Sequence, residues 1–234
     1  MKCWTCGHVN EINNIIRCTS CSHIFRNYPK IDLKEYYSQK YWKDISNISN
    51  AGPDPGRVEL MKARSKFILN KLGHHIPDNA SFFEVGFGWG IFHEQLKKRF
   101  PSIEYSCCEI STNLAERNKK KGIKTYNCPF QDVQTTKKFD VVASFDVLEH
   151  LYDPNPYKAK LLEIMKPNSL AIIQVPTGRR IHFDQPFDGH YHYFSKQSLR
   201  LFMGEEFEEV MFYETKEGET ANGKEFLTAW KKIK

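Results

Sequence analysis

The chain has 234 residues, 40% of them hydrophobic and 14% aromatic, and a formal net charge of +6. This composition excludes a disordered polar tail and suits one α/β domain with a small appendage. No apolar run approaches the roughly 20 residues that span a bilayer, and the stretch from Met1 to Cys6 lacks a signal peptide's apolar core, so a cytoplasmic protein and no membrane partner are the default expectation.

The first predicted unit, residues 1–28, is a zinc ribbon. Cys3 and Cys6 form one C-x-x-C pair and Cys18 and Cys21 a second, separated by a hairpin-length segment. Two such knuckles can place four thiolates tetrahedrally around Zn²⁺. With every position filled by sulfur, the metal would have a structural role. Residues 29–56 follow as a linker or helical lid. Leu33, Tyr36, Tyr37, Tyr41 and Trp42 have the spacing of an amphipathic helix, and 50–56 (NAGPDPG) reads as a loop.

From residue 57 helices and strands alternate. A helix is expected over 58–72 with Gly73 as its C-cap, a strand over 81–85, and a helix over 91–100 stopped by Pro101. Next come a strand at 103–109, a helix from an N-cap at Ser111 to Lys121, and short strand 123–126. The run 139–145 (FDVVASF) suits a strand covered on both faces, as does 169–175, with a helix ending near Met165 between them. Ser195 should cap a helix to about Met203, and 207–213 and 225–233 close the chain as an antiparallel pair. Such a rhythm gives a parallel sheet with helices on both faces. The basic runs at 97–99 and 119–121 fall at helix ends, where cations complement the dipole, so a nucleic-acid partner is not expected.

Chemistry concentrates after the 81–85 strand. Glu84 is followed by Gly86, Gly88 and Gly90 in the pattern E-x-G-x-G-x-G, whereas the dinucleotide fingerprint is G-x-G-x-x-G. A carboxylate ahead of the first glycine repels a pyrophosphate and attracts a ligand bearing an α-amino group. About 20 residues on, Glu109 ends the next strand beside Ile110, where an acid can accept both hydroxyls of a ribose. The insert 183–195 lies beyond the strand ending at Val175, over the sheet's carboxyl edge. His190 and His192 point one way along it and are candidate proton acceptors for a substrate hydroxyl.

Together, E-x-G-x-G-x-G, Glu109, the FQDV stretch at 130–133 and FDVVASFDVLEH at 139–150 resemble the motifs of class I S-adenosylmethionine-dependent methyltransferases over about 57–234. The resemblance implies a Rossmann-like, doubly wound, mostly parallel seven-stranded sheet with an antiparallel last strand. It implies S-adenosylmethionine as cofactor, with Asp132 accepting from the adenine amino group, Val133 packing on the ring, Ser144 near the methionine portion, and Asp146 and His150 near the transferring methyl.

A narrower likeness is to the sugar C-methyltransferases, which pair a four-cysteine zinc head with FDQ-x-x-D-x-H-x-x-x-FS; here Gly189 stands where they carry an acid, and their further C-terminal domain is absent. The expected activity is therefore methylation of a small-molecule acceptor, on oxygen of a sugar, glycan precursor or metabolite. Carbon methylation of a nucleotide-linked sugar, or an RNA or protein methyltransferase recognising its target through the head, are the alternatives. The oligomeric state is left open.

Overall fold

In a computed structural model the described residues are Cys3, Cys6, 10–12, 14–37, 54–177, 189–216, 219 and 224–233. The expected loop at 50–56 lies outside them up to Pro53, as does the FDQPFD part of the insert. The expected amphipathic helix is described only through Tyr37, as one helical turn, Leu33–Glu35, whose first N–H groups are capped by Asp32.

The larger sheet holds seven strands: β4 (Ser81–Val85), β5 (Glu104–Cys108), β6 (Lys124–Tyr126), β7 (Phe139–Phe145), β8 (Met165–Pro176), β10 (Phe207–Glu214) and β11 (Glu225–Lys232). Their order is β10-β11-β8-β7-β4-β5-β6, and only β11 runs against the rest. The expected fold class holds, including the closing antiparallel pair. Among the described residues, five helices accompany the sheet: α1 (Pro55–Leu72), α2 (Ile91–Arg99), α3 (Thr112–Lys120), α4 (Asn155–Ile164) and α5 (Lys196–Met203).

The strands read as unbroken apolar runs because both faces of the sheet are covered. Phe83, Val142, Ala171 and Ile173 pack on one face with Leu161 and Ile164 of α4 and Leu199 and Phe202 of α5. Their alternate neighbours Phe82, Val141, Ala143 and Ile172 pack on the other with Ile68, Leu69 and Leu72 of α1 and Leu96 of α2. Ser195 caps α5 in a reciprocal capping box with Ser198. Ser111 occupies the N-cap of α3 without a side-chain capping bond, and its N–H donates to Glu109.

The cysteine head carries a second small sheet. The hairpin of β1 (Asn10–Ile12) and β2 (Ile15–Arg17) is joined by β3 (Ile24–Arg26), and β9 (His192–Tyr193), from far along the chain, pairs antiparallel with β3. Sequence reasoning placed no strand there. Among the described residues no helix is long and apolar enough to cross a membrane.

Candidate active site

The strand order reverses at the centre of the sheet: β4, β5 and β6 step one way and β7 and β8 the other. Loops leaving adjacent strand ends there diverge and open a crevice. A cleft of about 1330 Å³ lies at this edge, lined by Gly86, Gly88, Glu109, Ile110, Asp146 and His150 from among the expected site residues.

Its floor is the glycine turn. Gly86, Gly88 and Gly90 all have positive φ (73°, 55° and 76°), a region costly for other residues. A Cβ on Gly86 would also stand 2.7 Å from Val147, and one on Gly90 would run into the ring of Phe87. Gly90 itself closes the turn at the start of α2 and does not line the cleft. The turn is tied to β5, with the N–H groups of Gly86 and Phe87 donating to the Cys108 carbonyl. Glu109 completes it, accepting from the N–H of Gly88 at 2.7 Å and of Ser111 at 2.8 Å. Burial raises the Glu109 pKa, and those backbone donors oppose the shift.

Glu84 departs from expectation. It does not line the cleft; it is buried beneath the turn and accepts a hydrogen bond from the Tyr105 hydroxyl. Burial pushes its carboxyl up to about 8 against the pull of that bond and of Arg64. A raised carboxyl favours the fold while it stays protonated, so this contribution is complete below 4.5 and is lost as pH rises toward 8, at roughly 1.4 kcal/mol per unit at most. Glu84→Gln is expected to remove that slope. Urea midpoints of wild type and variant between pH 5 and 8 should diverge in this sense; parallel curves would refute it.

At the end of β7, Asp146 has φ +55°, the left-handed region that strains a non-glycine residue. Its N–H donates to the Gln174 carbonyl, and its carboxylate is held at 2.8 Å by Arg64 of α1. The same guanidinium donates to the Gln174 side chain at 2.9 and 3.1 Å. Glu225, opening β11 at this edge because that strand runs backwards, accepts from the Gln174 amide. Burial works against the Arg64 charge, but Asp146, Glu225 and Glu149 outweigh it and raise its pKa.

His150 also lines the cleft. Its Nδ1 lies 2.9 Å from the Gly189 carbonyl, which can only accept, so the proton belongs on Nδ1 and the Nε2 lone pair is left open. Burial and the neighbouring His190 lower its pKa to about 3, leaving it neutral. Nε2 stands 3.9 Å from a carboxylate oxygen of Glu149. Burial and the Asp146 charge push the Glu149 pKa well up, and its other oxygen has no hydrogen-bond partner among the described residues. His190 lies against His150, ring centroids 4.6 Å apart and edge to face, without lining the cleft itself, and donor atoms of Glu149, His150 and His190 lie within 4.8 Å of one another.

Several expected site residues sit elsewhere. Asp132 is exposed, and Val133 is fully buried in the core; the cleft wall here is Cys128, Pro129, Phe130 and Gln131, because the helical turn after Pro129 directs the next residues away. Ser144 is fully buried, its hydroxyl 2.8 Å from that of Tyr157, and Tyr157 lines the cleft in its place. His192 faces the head: it is fully buried, with Nδ1 3.0 Å from Nε2 of His23, and burial lowers its pKa to about 4.

Sequence reasoning missed Arg64, Glu149 and Gln174; Tyr37, expected in the lid segment, lines the cleft and its ring meets His150 edge to face. The available signal for Arg64 was a charge four residues ahead of buried Ile68, on the apolar stripe of α1.

In the head, the sulfurs of Cys3, Cys6, Cys18 and Cys21 lie within 4.8 Å of one another, with Cys6–Cys18 at 3.1 Å, Cys6–Cys21 at 3.5 Å and Cys3–Cys21 at 3.6 Å. A tetrahedral Zn–S₄ centre with bonds of about 2.3 Å needs separations of about 3.8 Å, so the donor set fits zinc. Burial opposes the Cys18 thiolate, yet hydrogen bonds from Cys21 and Cys6 lower its pKa to about 6.

A family model described as a methyltransferase domain matches residues 57–207. The ubiquinone biosynthesis O-methyltransferase of Rickettsia canadensis (strain McKiel) is 27% identical over 151 residues, 61% of this chain and 63% of that protein. Malonyl-[acyl-carrier protein] O-methyltransferase 2 of Ilyobacter polytropus is 26% identical, covering 51% and 49%. The chain thus spans less than two thirds of the length of these relatives. Among solved structures, the 1,6-didemethyltoxoflavin-N1-methyltransferase of Burkholderia thailandensis, with bound 1,6-didemethyltoxoflavin and S-adenosylhomocysteine, superposes with a TM-score of 0.64 at 14% identity, covering 97% of this chain and all of that one. NodS from Bradyrhizobium japonicum WM9, in complex with S-adenosylhomocysteine, gives 0.62 at 13% identity over 87% of this chain and all of that one. At such identities the likeness speaks to the fold.

Proposed function

Because the chain belongs to the methyltransferase-domain family, we propose that it moves a methyl group from S-adenosylmethionine to a hydroxyl of a small acceptor: a sugar, a glycan precursor or another metabolite. The observation that carries this reading is the His150 imidazole on the cleft wall, its Nδ1 2.9 Å from the Gly189 carbonyl and its Nε2 3.9 Å from the buried Glu149 carboxyl group. O-methyltransferases among the relatives point the same way.

The donor supplies a methyl already activated by its positive sulfur. The C–S bond breaks as the O–C bond forms, its electron pair returning to sulfur. The residues hold the partners in line and take one proton. Glu109 would accept from the ribose hydroxyls, with the bare turn at Gly86 and Gly88 against the donor, Ile110 and Phe130 flanking its base, and Arg64 facing its carboxylate. Asp146, with the acids gathered around Arg64, draws the donor's cationic end. His150 would take the acceptor's proton on Nε2, and the imidazolium would be stabilised by ionised Glu149. His190 would buttress the His150 ring edge to face.

A base backed by Glu149 works only once that group has lost its proton. Turnover should therefore rise with pH through a limb lying well above the ordinary carboxylate value, because the pKa of Glu149 is raised. Glu149→Gln is expected to abolish the limb. A wild-type limb at 4.5, or its survival in the variant, would contradict the assignment.

The four cysteines hold one structural zinc in this reading. β9 docks the head on the catalytic domain beside the site, which favours a small acceptor over a macromolecule captured by a projecting head. The decisive experiment incubates the full chain with methyl-labelled donor and panels of nucleotide sugars, glycan precursors and phenolic metabolites, with mass spectrometry of the products. Label on an acceptor oxygen is expected. Label only on nitrogen, or only on RNA or protein, would overturn the reading.

A further inference from the structure

We propose that the cysteine head builds the acceptor half of the cleft, and that Tyr191 is the positioning residue through which it does so. The inference rests on reading the His150 side of the cleft as the acceptor side.

The donor half, Gly86, Gly88, Glu109 and Phe130, belongs to loops at the ends of β4, β5 and β6 and owes nothing to the head. The opposite wall is different. Ile31, Leu33 and Tyr37 line it from the segment that leaves the head, and His150 lines it from the turn after β7. Tyr191 joins these two walls. Its N–H donates to the Glu149 carbonyl at 2.8 Å, and its own carbonyl accepts from the Arg26 N–H at 2.8 Å. Its hydroxyl donates to the Pro29 carbonyl at 2.8 Å and accepts from the Ile31 N–H at 3.0 Å. The ring is 1% exposed, stacked on Phe25 and edge-on to Tyr152. One side chain therefore satisfies backbone groups of the strap that forms the mouth, while its own backbone bridges the head to the catalytic turn.

The residues around it complete the clamp. Two positions earlier, the Gly189 carbonyl fixes the His150 tautomer. Gly189 has φ +92°, and a Cβ there would crowd both Tyr36 and His150, so the chain passes close against the imidazole. On the far side, His192 and Tyr193 pair with Phe25 and Ile24, His192 meets His23, and the Ser195 hydroxyl donates to the carbonyl of Cys21, one of the four clustered cysteines. The path from the cysteine cluster to His150 is thus a series of hydrogen bonds, ring contacts and short covalent steps. It passes through residues 189–195, which the parallel sheet alone would leave as a connection between β8 and α5. The head on this view is a brace for the acceptor side.

The test uses the full chain and needs no acceptor. Amide exchange is followed at Tyr191 and Ile31, S-adenosylhomocysteine affinity by calorimetry, and the His150 ring by its imidazole proton resonances. Opening the head with a Cys18→Ser, Cys21→Ser double variant should speed exchange at both amides at least tenfold, with the dissociation constant of S-adenosylhomocysteine changed less than threefold. Tyr191→Phe keeps the ring and removes only the hydroxyl. It should speed exchange at Ile31 and move the His150 midpoint upward from about 3 toward its ordinary value, with His190, Glu149 and Tyr37 still facing the ring. Unchanged protection in the double variant, or an unmoved His150 midpoint in Tyr191→Phe, would overturn the proposal. So would a matching loss of S-adenosylhomocysteine affinity, which would show general destabilisation. If the wild-type chain failed to bind S-adenosylhomocysteine, the donor assignment would fall while the exchange data still judged the brace.

Discussion

His150→Ala is expected to lower turnover about 10²–10⁴-fold, the usual worth of a positioned general base, while S-adenosylhomocysteine binds within about threefold of wild type. The asymmetry follows from the position of the ring. It lines the cleft with Nδ1 held by the Gly189 carbonyl, and on the proposed mechanism it meets the acceptor and not the donor nucleoside. Because the imidazole is neutral down to about pH 3, no acid limb near pH 6.5 should come from His150 itself, and the pH dependence should report Glu149. The comparison is made with the acceptor identified by the labelled-donor screen, measuring single-turnover rates and the dissociation constant separately. A variant within threefold of the wild-type rate would remove His150 from the mechanism. Equal damage to rate and donor affinity would mean that the ring is mainly packing.

The second large effect is expected at Glu109. Its two carboxylate oxygens are engaged by backbone N–H groups of the glycine turn and of Ser111, and both groups would lose their partner in Glu109→Ala. Hydrogen bonds to a charged group contribute about 1.5–3 kcal/mol each, and leaving buried donors unpaired costs a similar amount. Those internal bonds bear on the stability of the turn; the affinity loss comes from the two charge-assisted bonds Glu109 would make to the ribose hydroxyls, and losing about 3–4 kcal/mol there corresponds to S-adenosylhomocysteine affinity lowered roughly 10²–10³-fold. Glu109→Gln should be nearly as damaging, since an amide NH₂ turned toward either backbone N–H sets donor against donor. Calorimetric titration decides it. Either variant binding within threefold of wild type would show that the carboxylate is not part of the donor site.

How far residues disclose a site depends on how local its physics is. The placement of Gly86, Gly88 and Glu109 at the cleft was legible because a strand, a turn that only glycine accommodates and an acid at the next strand end are short-range requirements. Asp146 and His150 were legible for the same reason, lying within a few residues of the end of β7. Asp132 and Val133 were misplaced by one helical turn: whether Gln131 or Asp132 faces the cleft is set by the turn after Pro129, and nothing in FQDV distinguishes them. Ser144 went astray because a serine on an apolar strand looks alike whether it meets a ligand or Tyr157.

The alternation of apolar runs, glycine punctuation and helix-ending prolines was enough to specify a doubly wound sheet, its closing antiparallel pair and the knuckle spacing of four thiols, because each depends on neighbours within one or two elements. Tertiary packing alone decided which charges gather at the cleft. Arg64 reaches Asp146 and Gln174 across 82 and 110 positions of chain, Glu225 arrives at the edge because its strand runs backwards, and the head meets His192 only through β9. Pairings at such separations arise when burial forces charged and polar groups to satisfy one another, a constraint that acts between surfaces and leaves no periodic trace along the chain.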